Sequence, residues 1–269
     1  MNDLLRGLAP ISDHAWKEID EEARRTLTPI LAARKLVDFK GPLGWQHSAV
    51  SLGRVSALSS PPREKVSGAI RQVQPLVELR AEFTLSRAEV EVIDRGGPDP
   101  DLDPVREAAR TIGLAEDRSV FHGYPAAGIK GVNEQAKARC MAISTDYEQY
   151  PRAVAGALNR LRNAGVDGPY AIALGPRCYT GLTETVSRGG YPVIEHVRRL
   201  VDGPIVWAPG IDGATVLSLR GGDFELFVGR DFSIGYQSHD ARTVTLYLVE
   251  SFTFRLVTPE AAVPLVYES

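Results

Sequence analysis

Hydrophobic and polar positions alternate most regularly near the end of the chain. From Val244 to Leu256 apolar side chains keep one parity, and mainly threonine, tyrosine and arginine occupy the other. Only Glu250 interrupts the apolar face. A period of two predicts a half-buried β-strand, and the length of this one favours a central place in a sheet. Residues 76–85 alternate in the same way and predict a second strand of this kind.

A helical period dominates the beginning of the chain. Apolar residues and one arginine recur at spacings of three and four: Trp16, Ile19, Ala23, Leu27, Ile30, Leu31 and Arg34. This spacing predicts an amphipathic helix over residues 13–35, with Ser12 or Asp13 as its cap. Because Pro29 removes a backbone donor and its ring clashes with the preceding turn, we expect a kink or break near that residue.

Shorter patterns fill the region between these elements. Asp103–Pro104 begins a helix that we expect to run to about Glu116, since proline is favoured at the first helical position. A helix is predicted over 151–164, with Gly165 as its C-terminal cap. Helical pieces are expected at 177–186 and 193–201, and short strands at 170–174, 205–208, 215–219 and 224–228.

Residues 46–75 have few apolar side chains and a serine–proline turn at 59–62. We interpret this segment as an extended hairpin. An isolated hairpin is only marginally stable in water, so it needs a partner surface. That surface could belong to its own domain or to a neighbouring subunit.

Composition narrows the function classes. The chain has 269 residues, 43% hydrophobic, with a formal net charge of −3. The length suits one large domain or two smaller ones. The net charge gives no sign of a basic surface for binding nucleic acid. No apolar run is long enough to span a membrane, and Met1–Pro10 lacks the apolar core of a signal peptide. Cys140 and Cys178 are expected to be free thiols.

Catalytic and metal-binding motifs are not evident. Asp99, Asp101 and Asp103 are spaced like a calcium loop, but Pro104 stands where the loop needs glycine, so we favour helix capping. The five histidines are dispersed without metal-ligand spacing. No phosphate loop, dinucleotide fingerprint or strained nucleophile turn is present. We therefore predict no catalytic site, no metal site and no cofactor.

Several short stretches, in a fixed order along nearly the whole chain, resemble the type 1, linocin-like encapsulin family. They are Leu8–Pro10, Trp16–Asp20, Arg34–Asp38, Gly41–Trp45, Phe83–Leu85, Gly165–Tyr170, Gly221–Phe224, Ser233–Tyr236 and Glu250–Phe254. The resemblance implies an α+β, tailed-phage major capsid fold (HK97-like). It implies a peripheral (P) domain from 1–125 and 222–269, containing the N-terminal helix 13–35 and the arm called the E-loop at 46–75. An axial (A) domain would be inserted at 126–221.

The family resemblance also implies a function. Similar proteins form cytoplasmic, icosahedral nanocompartments of about sixty copies of one chain. They enclose a cargo enzyme, a dye-decolourising peroxidase or a ferritin-like protein, in oxidative-stress or iron-storage roles. The cargo docks through a C-terminal targeting peptide, and pores limit the passage of small molecules and ions. The expected partners are other copies of the chain and the cargo protein, without nucleic acid or membrane.

Two sites follow from the resemblance, residue by residue. The cargo-peptide site takes Leu27, Ile30, Leu31, Arg34 and Asp38 from the helix side and Ile234 and Tyr236 from the strand side. An apolar groove suits alternate side chains of an extended peptide, with Arg34 and Asp38 at its polar ends. The alternative is an ordinary core with a local Arg34–Asp38 ion pair.

The pore site lies in the glycine-rich segment 185–192. Its expected lining residues are Ser187, Arg188, Gly189, Gly190 and Tyr191. A fivefold ring would repeat Arg188 around the axis, and charged rings set ion preference. The alternative is an ordinary flexible surface loop. His196 lies nearby and is expected to pack on a helix.

Other functions remain as competing hypotheses. A prophage head protein would favour a DNA-lined interior, which the negative charge does not support. A bacteriocin-like secreted protein or a hydrolase would need an export signal or a nucleophile site. A monomeric enzyme would need a hairpin at 46–75 that is stable without a neighbour.

Overall fold

Seven helices and twelve strands occur in the computed structural model, which describes residues 3–60 and 62–268. The helices are α1 (Asp13–Ile30), α2 (Arg87–Asp94), α3 (Asp103–His122), α4 (Val132–Gln135), α5 (Tyr150–Asn163), α6 (Pro176–Glu184) and α7 (Val193–Leu200). The strands are β1 (Asp38–Lys40), β2 (Ala49–Ala57), β3 (Ala69–Pro75), β4 (Val77–Ser86), β5 (Met141–Ile143), β6 (Tyr170–Leu174), β7 (Ile205–Trp207), β8 (Ala214–Ser218), β9 (Phe224–Val228), β10 (Ser233–His239), β11 (Thr243–Leu256) and β12 (Ala262–Tyr267).

The first sheet is built around β11. This strand pairs antiparallel with β4, β9 and β10, and β1 pairs parallel with β9. The central position predicted from the alternation over 243–256 is confirmed. Helices α1 and α3 pack on one another, and the core beside this sheet includes Leu27, Ile112, Ile234 and Leu246.

The N-terminal helix ends earlier than predicted. Ser12 caps α1 by accepting the Ala15 N–H at 3.0 Å. The α-helix stops at Ile30, one residue after Pro29, and a separate 3₁₀ turn follows at Ala33–Lys35. The expected break near Pro29 is therefore confirmed, while the single helix over 13–35 is wrong. The break allows the Asp117 carboxylate on α3 to accept the N–H groups of Ala32 and Ala33, at 3.0 and 2.9 Å.

The second sheet has the order β5-β12-β8-β6-β7. Strands β6 and β8 are buried along their full length, and α5 packs on β5, β8 and β12. The C-terminal strand β12 pairs parallel with β5 and antiparallel with β8. This placement corrects the assignment of all of 222–269 to the first domain, because Ala262, Val263 and Leu265 are fully buried in the second sheet.

The hairpin expected within 46–75 is confirmed. Strands β2 and β3 pair with each other and, in the described part of the chain, with no other strand. Pro61, in the predicted turn, lies outside the described residues. The hairpin exposes Val55, Ile70 and Val73 at 64, 59 and 51%. So much apolar exposure in an extended arm is typical of a surface that another molecule covers.

Candidate functional site

A cleft of about 610 Å³ lies between the C-terminal half of α1 and the edge strand β10, and we call it the α1–β10 groove. Its lining is Leu4, Arg6, Asp20, Ala23, Arg24, Leu27, Thr28, Leu31, Arg34, Asp231, Phe232, Ser233, Ile234 and Leu248. The helix contributes side chains at i and i+4, because these lie on one face. The strand contributes an apolar wall and a backbone edge.

Four of the seven predicted cargo-site residues lie together in the α1–β10 groove. They are Leu27, Leu31, Arg34 and Ile234. The other three are not among its lining residues. Each of them is used elsewhere in the fold.

Ile30 is 3% exposed and points to Gly113 on α3. Asp38 begins β1 and accepts the Gly222 N–H. The hydroxyl of Tyr236 bonds to His239 Nδ1 at 2.6 Å. The side chains of Ile30 and Asp38 are therefore used inside the fold and not in the groove lining.

Arg34 is held by acidic side chains inside the subunit. Its guanidinium bonds to Glu116 through Nε at 2.9 Å and Nη2 at 2.6 Å, and to Asp231 through Nη1 at 2.7 Å. Nη2 also lies 3.4 Å from Glu250. The alternative of an Arg34–Asp38 ion pair is wrong, because these partners come from α3, β11 and the turn before β10. Arg34 therefore fixes the end of the groove, and the N–H groups of its guanidinium are already bonded within the subunit.

Two buried carboxyl groups lie close to each other beneath the groove. Glu116 and Glu250 are both fully buried. Burial raises the pKa of Glu250 well above its usual value, and the neighbouring Glu116 raises it further. This raised pKa favours the protonated form of Glu250 beside the Arg34–Glu116 pair. Burial also raises the pKa of Asp117 to about 7, against the two backbone N–H bonds that favour its ionised form.

Several residues of the groove are not predicted from the sequence. Phe232 shares strand parity with Ile234, which is a usable signal, and its ring lies 4.6 Å from the Arg34 guanidinium. Asp231 and Leu4 give no such signal, because they lie in an irregular turn and in the N-terminal segment, where no periodic pattern indicates which side chains face the groove.

The segment 185–192 forms a tight turn between α6 and α7. Ser187 N–H and Oγ both bond to the Tyr191 carbonyl, at 2.9 and 3.0 Å, and Gly190 has φ of 78°. The Arg188 side chain is 96% exposed. The Tyr191 ring packs edge-on against His196 at 4.8 Å. Ser187 and Tyr191 therefore hold the turn, while Arg188 and Gly189 form its tip.

The described residues also bear on metal binding, membrane insertion and disulfide formation. They contain no group of three or more histidine, cysteine or acidic side chains placed to hold a metal ion. None of their helices is both long and apolar enough to cross a membrane. Cys140 and Cys178 are free thiols, as predicted. The expected cap at Asp103 is wrong, because α3 begins at Asp103 and its N-cap is Leu102, while the Asp101 carboxylate accepts the Asp103 N–H at 3.0 Å.

Comparison with known proteins gives consistent results. Residues 1–253 match the profile of a family described as "Encapsulating protein for peroxidase". The type 1 encapsulin shell protein of Rhodospirillum rubrum is 59% identical, over 98% of this chain and 96% of its own. That of Mycolicibacterium paratuberculosis is 48% identical, over 98 and 99%. The virus-like particle from Pyrococcus furiosus is similar in structure, with a TM-score of 0.66, 15% identity, and coverage of 93% of this chain and 98% of its own.

Proposed function

The chain belongs to the encapsulin family of shell proteins, and on that premise we propose that its shells enclose an enzyme whose C-terminal tail docks in the α1–β10 groove. The chain has the tailed-phage capsid fold and forms a self-assembling nanocompartment shell. A peroxidase is the favoured cargo, since the family description names one. A ferritin-like protein is the second candidate. An icosahedral shell of about sixty copies in the cytoplasm is part of the proposal.

The observation that carries the cargo proposal is the groove itself. An extended peptide binds well where a sheet edge offers backbone groups and a neighbouring helix offers apolar pockets. Leu27, Leu31 and Ile234 supply such pockets, and β10 is an edge strand of the first sheet. A short tail can therefore be recognised without a large protein interface.

We assign the first sheet with α1 to α3 to the P domain and the second sheet, including β12, to the A domain. The hairpin of β2 and β3 is the E-loop in this assignment. Its exposed Val55, Ile70 and Val73 support pairing with a neighbouring copy. The interface between two copies would then bury the apolar side chains that the isolated subunit exposes to water.

The turn at 185–192 is the proposed pore lining. Arg188 is the side chain best placed to reach a lumen, because it is almost fully exposed at the tip. A ring of arginines would favour anions. Tyr191 and Ser187 would shape the ring without facing the ions.

We propose no catalytic role for the chain, and no cofactor, since the curated relatives are named as shell proteins. Chemistry would belong to the cargo. No observation on the described residues favours a hydrolase or a bacteriocin-like activity.

Co-expression tests the cargo proposal. The shell is produced with a dye-decolourising peroxidase of the same genome, with or without the peroxidase's C-terminal tail. We expect the intact peroxidase to co-sediment with the shells and the truncated form to stay in the supernatant. Equal co-sedimentation of both forms would contradict docking through a tail.

A further inference from the structure

The N-terminal segment of the chain lies beside the α1–β10 groove. We call residues Asp3–Leu8 the strap. Leu4 is one of the residues that line the groove, beside Ile234 and Leu31. The strap therefore forms part of the wall of the proposed peptide site.

Arg6 is the main polar anchor of the strap. Its guanidinium forms two hydrogen bonds with the Asp20 carboxylate on α1, one of them from Nη1 at 2.8 Å. Its Nε donates to the Ile234 carbonyl of β10 at 2.8 Å. The guanidinium also lies 4.3 Å from the centre of the Trp16 ring. One side chain thus joins the two walls of the groove.

The strap also uses the backbone edge of β10. The Tyr236 N–H donates to the Leu4 carbonyl at 2.8 Å. Backbone groups of residues two apart in a strand point to the same side, so this N–H and the Ile234 carbonyl share the outer edge. These are two of the groups with which an added extended peptide would pair.

Apart from the Arg6 anchor and the backbone bond of Leu4, the strap is weakly held. Leu5 has φ of 54°, a left-handed conformation that is unfavourable for a residue with a Cβ. Leu5 and Leu8 are 38 and 65% exposed, so neither is fixed by deep burial. Asp3 forms an ion pair with Arg230, and water at the 46% exposed Asp3 side chain weakens this pair.

We propose that the strap occupies the outer edge of β10 beside the open groove, and that a cargo tail binds by displacing Leu4 and taking over the Tyr236 N–H and the Ile234 carbonyl. This inference rests on the proposed cargo function and adds its binding mode. A site that is open for only a fraction of the time binds with an affinity reduced by that fraction. The strap therefore sets a threshold that excludes weakly matching apolar peptides.

Hydrogen–deuterium exchange of empty shells tests the strap without any cargo. The full-length variants are Arg6→Ala, Leu4→Ala and the control Arg25→Ala, whose arginine is on α1 and pairs with Glu22. We expect the Tyr236 amide to exchange at least about tenfold faster in Arg6→Ala than in the wild type and in Arg25→Ala. Equal protection in all of them would overturn the strap.

Displacement is tested with a reporter. A fluorescent protein carries a copy of residues 3–10 (Asp-Leu-Leu-Arg-Gly-Leu-Ala-Pro) as its C-terminal tail and is co-expressed with each shell variant. We expect Arg6→Ala and Leu4→Ala shells to retain about five to ten times more reporter than wild-type shells. A tail carrying Leu4→Asp is expected to give no retention. Lower or equal retention by both variants would mean that the strap is a fixed wall of the site.

The experiments can contradict the strap proposal and the cargo proposal independently of each other. If a native peroxidase tail loads wild-type shells but the reporter does not load Arg6→Ala shells, the strap proposal is wrong and the cargo proposal stands. If the reporter loads Arg6→Ala shells while the peroxidase is retained equally with and without its tail, the groove binds peptides but the cargo assignment is wrong.

Discussion

Arg34 and Glu116 form a two-pronged ion pair beneath the α1–β10 groove, with Nε and Nη2 donating to the carboxylate at 2.9 and 2.6 Å. Glu116 is fully buried, and the Arg34 side chain is 15% exposed. The pair joins the turn after α1 to the long helix α3. Arg34 therefore acts as a structural link that fixes the end of the groove.

Removal of the buried charge of Glu116 is expected to destabilise the subunit. Breaking one partner of a buried ion pair costs about 3–5 kcal/mol, and Glu116→Gln should cost about 3 kcal/mol because Arg34 keeps Asp231 as a second partner. The control Glu21→Gln breaks the exposed pair with Arg24 and should cost less than about 0.5 kcal/mol. Urea unfolding of dissociated subunits measures both. Equal unfolding midpoints for the two variants would contradict this role of Glu116.

Glu250 should make stability depend on pH. Its pKa in the folded protein is raised by burial and by Glu116, so the folded state holds a proton that the unfolded chain releases above about pH 4.5. This contribution is complete at lower pH and is lost as the pH rises through the raised pKa. Relative to Glu250→Gln, the wild type should lose stability as the pH rises from 5 upwards. Parallel curves of urea midpoint against pH for the two proteins would be incompatible with a neutral Glu250.

A bulky side chain on the rim of the groove should exclude cargo. Thr28 is exposed on α1 and lines the groove, so Thr28→Trp blocks the site without disturbing the core. We expect about tenfold less cargo per shell, which corresponds to about 1.4 kcal/mol. Arg25→Trp, on the outer face of the same helix, should load normally. Quantitative mass spectrometry of purified shells gives the ratio, and normal loading of Thr28→Trp would place the cargo site elsewhere.

Arg188 should determine the charge preference of the pore. With Arg188→Glu the ring at the tip of the 185–192 turn becomes acidic, so anions should enter more slowly and cations faster. Quenching of an enclosed dye by iodide and by thallium(I) measures both rates. Arg110→Glu makes the same change in net charge on α3 and should leave both rates unchanged. If the two variants behave alike, the turn does not line a pore.

Periodic elements could be predicted from the sequence because their pattern is spread over many residues, so that no single residue decides the prediction. The strand over 243–256 and the hairpin of β2 and β3 were recognised by alternation and by the lack of apolar side chains. Strand β12 was missed, since a short apolar run gives no indication of which sheet will bury it. Its partners β5 and β8 are distant in sequence.

The residues of the groove also divide into those that a periodic pattern predicts and those that only the fold brings together. Leu27 and Leu31 follow from the helical period, whereas the network around Arg34 depends on tertiary contacts. A signal was nevertheless present. Glu250 breaks the apolar face of a strand, and Glu116 follows Ile112 by one turn on the inward face of α3. Charges at predicted core positions indicate a buried partner. Which residue supplies it is fixed only by the fold.

The most direct test of the shell assignment is negative-stain electron microscopy of the purified chain, beside a variant that lacks Val50–Gln74. The hairpin in the intact chain exposes apolar residues that a neighbouring copy would cover. We expect uniform closed spheres from the intact chain and only dispersed subunits or small oligomers from the deletion variant. Dispersed subunits from the intact chain, also in the presence of a cargo peroxidase, would contradict the assignment as a shell protein.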